Sequence, residues 1–114
     1  MFQQFLNAYI ECMLWSSTDD NGDPLDANYS VEDISEELMR QTLEDCKAFY
    51  DANHDMIEAG SAARAGHDFW LTRNRHGAGF WDGDWIPESG KRMTEDSHAY
   101  GSVDLIVCDD GKIR

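Results

Sequence analysis

The chain has 114 residues and a formal net charge of −14, with 23 Asp and Glu against nine Lys and Arg. That length suits one domain, residues 1–114, with a single modest core. A field of this sign repels phosphate, which argues against direct contact with nucleic acid or an anionic membrane surface and favours a basic protein partner.

The charge is unevenly placed. Residues 1–60 hold 14 acids and two bases, whereas residues 61–114 hold nine acids and seven bases. The first segment, MFQQFLNAYIECMLW, carries Gln3, Gln4, Asn7 and Glu11, too polar and too short to cross a bilayer. It also lacks the basic start of a signal peptide. Cys12, Cys46 and Cys108 are an odd set without a CxxC pair. They read as reduced thiols of a cytoplasmic protein.

Phe2, Phe5, Leu6, Tyr9, Ile10, Met13 and Leu14 recur at the spacing of one helical face, so a helix of about four turns is expected there. SSTDDNGDPLDANY (16–29) breaks it with Gly22 and Pro24 among turn formers. A second helix is expected to begin near Ser30 or Ser35 and to end at Gly60, with Met39, Leu43, Cys46, Tyr50 and Ile57 on its apolar face. Ser30 followed by Asp33 has the form of a capping box. Along the opposite face, acids and bases alternate from Glu37 to Glu58 at spacings that pair on a helix.

GSAARAG (60–66) reads as a connector. DFWLTR and AGFWD then read as two short strands around an NRHG turn. KRMTEDSHAYG is expected to form a short helix ending at Gly101, SVDLIV a strand, and DDGK (109–112) a tight turn. The expected class is therefore α+β: two N-terminal amphipathic helices packed on a small antiparallel sheet with a central Trp-rich β-hairpin.

AYIECMLWSST, GDPLDANY (22–29), AGHDFWLTRNRHGAGFWD (65–82) and HAYGSVDLIVCDDGKI (98–113) resemble a family of small, acidic, uncharacterised bacteriophage and prophage proteins. The resemblance implies a protein working in the cytoplasm of an infected bacterial host and carries no catalytic residues. In the family form the turn reads Asn-Gly-His-Gly. Arg75 stands here in place of the first Gly, so the resemblance does not carry a positive-φ turn onto this chain.

Two sets of residues are candidates for function. Asp19, Asp20, Asp23, Asp26, Glu32, Asp33 and Glu36 cluster around the first loop and the start of the second helix. They would form a negative patch for a basic or nucleic-acid-binding host protein, inhibited by carboxylates that stand in for phosphates. The other set, His67, Trp70, Arg73, His76, Trp81, Asp82 and Trp85, occupies the expected hairpin. It would form an interface or the ligand site of a small-molecule binder or hydrolase built on His67, Arg73, His76 and Asp82. A twofold-related copy would cap the exposed apolar side of that hairpin as a homodimer. DDNGDPLD lacks the closing Glu of a calcium loop, and the two histidines lack metal-ligand spacing, so neither metal nor cofactor is expected. The more economical reading of the pattern is a binding protein rather than an enzyme.

Overall fold

The computed structural model describes residues 1–81 and 85–114. Five helices follow in chain order: α1 (Phe2–Ser16), α2 (Leu25–Asn28), α3 (Glu36–Ala59), α4 (Ala62–Arg73) and α5 (Pro87–Tyr100), with a 3-10 turn at Val31–Asp33. No described helix is long and apolar enough to cross a membrane. The expected α+β class is overturned. Among the described residues the extended pairing is confined to isolated bridges, Thr18 with Pro24, Ile34 with Ile113 and Val107 with Ile113, and there is no sheet.

The first two expected helices are present. In α1 the periodic residues Phe5, Leu6, Tyr9, Ile10, Met13 and Leu14 are all buried. The Ser30 capping box forms around the 3-10 turn, with the Ser30 N–H donating to Asp33 Oδ2 at 2.8 Å. Ser35 then starts α3, its hydroxyl accepting the Leu38 N–H. α5 ends where expected, at Gly101, whose φ of 76° suits a residue without a side chain.

The correction lies at residues 60–82. The expected connector and first strand are one helix, α4, opened by Ser61, whose hydroxyl accepts the Arg64 N–H. Ala62, Ala63, Arg64 and Ala65 are strong helix formers behind that cap. Buried Ala62, Ala65, Phe69, Thr72 and Arg73 fall at helical spacing. The NRHG segment is the end of this helix, not a hairpin turn. The Arg75 N–H donates to Thr72 O and the His76 N–H to Leu71 O, the paired bonds of a Schellman ending. Arg75 holds the left-handed position at φ 57°, a geometry that glycine adopts at no steric cost. Asp82 lies outside the described residues, as do residues 83 and 84 of the turn expected over GDWIPESG (83–90), whose last four residues instead open α5 at Pro87.

α4 runs through the centre of the molecule. A methyl group on Gly66 would come within 2.0 Å of the Phe5 carbonyl oxygen, so α1 and α4 touch backbone to backbone. Above that contact the rings of Phe5 and Tyr9 meet Phe69 at 6.1 and 5.3 Å, and Tyr9 meets Trp70 edge-on at 5.4 Å. From α3, Phe49 stacks on Phe69 at 4.1 Å, and from α5 Tyr100 meets it edge-on at 5.2 Å. The tail returns to the start of α3. Ile113 is buried and brackets Ile34, its N–H donating to Asp33 O and its carbonyl accepting the Ser35 N–H.

Gly66→Ala is expected to force the two helices apart and to lower stability by about 3 kcal/mol, the upper end of overpacking penalties, seen as a fall in Tm on the order of 10 °C. Arg75→Gly is expected to raise the urea midpoint by the equivalent of roughly 0.5–1 kcal/mol, since relief of the left-handed backbone outweighs the added chain entropy.

Candidate functional site

The residues expected at a hairpin site are distributed by α4 to separate places. Trp70 is 2% exposed and belongs to the core, its indole N–H donating to Ser16 Oγ at 2.7 Å. Arg73 is 4% exposed and fully engaged. Its Nε donates to Gly101 O, Nη1 to both Tyr9 Oη (3.1 Å) and Asp45 Oδ2 (2.9 Å), and Nη2 to Tyr100 O. The guanidinium also lies 5.5 Å from the ring centres of Phe69 and Tyr100. Arg73 is thus a structural cation that caps α5 and ties it to α1 and α3. His76 is exposed on the loop after α4.

Trp85 is half-buried, meets Phe80 edge-on at 5.6 Å and donates its indole N–H to Asp68 Oδ2 at 2.8 Å. Trp81, 47% exposed, lines with Phe80, Trp85 and Pro87 an apolar cleft of about 430 Å³.

The acidic set divides by what its members do. Asp19 builds its own turn, Oδ1 accepting the N–H groups of Asn21 and Asp23. Asp33 serves the capping box. Glu32 and Glu36 share a cleft with Glu37 and Asp110 and with Arg40, Lys112 and Arg114, so their charge is partly offset. Asp20, Asp23 and Asp26 are exposed, and among the described residues none of them makes an ion pair. The loop that carries them is closed by backbone bonds from Asp19 N–H to Asp23 O and from Leu25 N–H to Ser17 O, with Gly22 at φ 82°. No group of three or more His, Cys, Asp or Glu able to hold a metal occurs among the described residues.

Beside this loop lies a cleft of about 470 Å³ lined by Glu11, Cys12, Leu14, Trp15, Asp26 and His67. Trp15 is 59% exposed and its ring lies 5.9 Å from that of His67. The cleft presents an indole face, an imidazole and two carboxylates, and no Lys or Arg lines it. Glu11 and Trp15 are the residues that sequence reasoning missed. The available signal was phase: both sit one side of the apolar stripe of α1, where an exposed Trp has no packing role to fill.

The cysteines are free thiols, two of them buried. Burial pushes the Cys12 thiol up from 9.0 to about 12. Burial also raises Cys46 and Tyr9, with the nearby Arg73 charge opposing both shifts.

No protein-family model, no curated protein and no solved structure matches this chain. The phage-family resemblance and the host interaction expected with it therefore have no evidence behind them.

A thiol reagent at pH 8 is expected to modify half-buried Cys108 in the native protein and to reach Cys12 and Cys46 only on unfolding. The folded chain holds the Cys12 proton to higher pH than the unfolded chain does. The resulting stability is complete below pH 9.0 and is lost as pH rises towards about 12, so urea midpoints should fall across that interval.

Proposed function

We propose that the chain is a binding protein that takes a positively charged protein partner on the face formed by the end of α1, the loop at 17–24 and α2. The observation that carries this reading is the exposed Trp15 beside Glu11 and Asp26, in a cleft without a lining cation and next to the unpaired Asp20 and Asp23. An arginine side chain answers each element: its flat guanidinium stacks on an indole and forks across carboxylates. Partners that hold nucleic acid carry such side chains in clusters. The cytoplasm, where the three thiols stay reduced, is the setting this reading requires.

The competing reading, catalysis by His67, Arg73, His76 and Asp82, draws no support from the placement of Arg73, whose donors are all turned inward.

The test is titration of an arginine-rich peptide by calorimetry at several salt concentrations. Binding is expected, steeply weakened by salt. Replacing Asp20, Asp23 and Asp26 together by Asn should weaken it about ten-fold and flatten the salt dependence. Trp15→Ala should weaken it a further few-fold, roughly the worth of one exposed cation–π contact. Removing the same number of charges at Glu44, Asp55 and Glu58 on α3 should have little effect. Equal losses from both triple variants would reduce the interaction to net charge and overturn the proposal.

A further inference from the structure

Between α3 and α5, on a different part of the surface from Trp15, lies a groove of about 340 Å³ lined by Phe49, Ala52, Asn53, Asp96, Ala99 and Tyr100. Its polar wall holds an anomaly. Asn53 is 1% exposed, and its Nδ2 donates to Phe49 O at 3.0 Å, while Oδ1 is buried and accepts no hydrogen bond among the described residues. Buried acceptors are nearly always satisfied, and an orphan is a persistent penalty in the folded state. A chain that needed only packing at this position would be served better by Leu, which has a similar volume and no lone pairs. The asparagine therefore implies a donor that arrives from outside the fold.

The surroundings restrict what that donor belongs to. Phe49 and Tyr100 pack edge to face, with ring centres 6.3 Å apart and planes at 67°; Phe49 is fully buried, so half-buried Tyr100 is the ring that the groove presents. Ala52 and Ala99 leave space between the helices, a gap that larger side chains would fill. Asp96, with its side chain 40% exposed, is held by Arg92 only at 4.0 Å, and Arg92 is further engaged with Ala52 O. The polar side chains of the groove thus offer acceptors, one neutral and deep, one charged and near the surface.

We infer that this groove is a second binding site, for a small primary amine with a flat apolar body: the ammonium N–H groups satisfy Asn53 Oδ1 and Asp96, and the body rests against Tyr100 and the two alanines. This site stands apart from the Trp15 cleft and does not depend on the function proposed for it.

Benzylamine is the probe, followed by the amide NMR signals of the intact chain. Saturable shifts are expected at Ala52, Asn53, Ala99 and Tyr100. Benzyltrimethylammonium has the same ring and charge but no N–H, and it should bind about ten-fold more weakly. Asn53→Leu should abolish the shifts while leaving Tm unchanged or higher, since it removes the orphaned acceptor. Asp96→Asn, at the exposed rim, should weaken binding several-fold without affecting the fold, and tests the site even if the Leu variant does not fold. Equal binding of the two probes, unchanged binding by Asn53→Leu, or no saturable shift at these four residues would each overturn the inference, leaving Asn53 as a core residue satisfied by water.

Discussion

A single guanidinium holds this fold together. Arg73 sits at the last position of α4 and brings a full positive charge into a core otherwise built from rings. Such a charge is tolerable only where its donors are met, and here they reach Tyr9 on α1, Asp45 on α3 and the carbonyls that end α5. Because the guanidinium is planar and its donors fork in one plane, it fixes where those three helices stand relative to one another. Removing one partner from a buried pair of this kind costs about 3–5 kcal/mol, since the other charge is left stranded. The aromatic packing around Phe69 supplies most of the burial, and Arg73 supplies the registration.

The same interaction explains how a chain of this charge divides its carboxylates. Asp45 neutralises the core, Asp33 and Asp19 hold turns, Asp51 pairs with Lys47 along α3, and Asp110 pairs with Arg114 in the tail. Of the acids read as one patch, the residues left without such duties are those at the tip of the first loop, where Asp26 reaches the Trp15 cleft. Total charge says little about recognition. What matters is the remainder after structural uses are taken out, and where it lies.

Much of the helical framework was legible in the sequence because its signals agreed with one another. In α1 an unbroken apolar period points to a helix, and in α3 periodicity, the Ser35 cap and the terminal Gly60 all point the same way. The stretch from Ser61 to Trp85 was misread because two of its signals are ambiguous. Phe69, Trp70, Leu71 and Thr72 favour a strand locally, and four consecutive large residues hide a helical period. The Asn-Arg-His-Gly sequence suits a hairpin turn and a helix ending equally well. Tertiary contact decides the matter, through the touching of Gly66 and Phe5, and no local pattern encodes a partner sixty residues upstream. The acidic half of the candidate site could be read from charge clustering, and the phase of Trp15 and Glu11 on α1 was a signal, but their meeting with His67 was not legible because it forms only once α4 lies along α1.

The tail carries a consequence for how the molecule assembles. Lys112 donates to the carbonyl of Glu32, 80 residues away, and Ile113 closes the same gap through two backbone bonds. The pairing of α1 with α4 is itself long-range, its hydrogen bonds joining residues 54 and 64 apart, so closing the tail adds little further loop entropy. Conversely, the strap of residues 106–114 is the piece whose release leaves the aromatic centre intact. The molecule is organised as a helical body with a clasp, and the clasp sits on the first turn of α3.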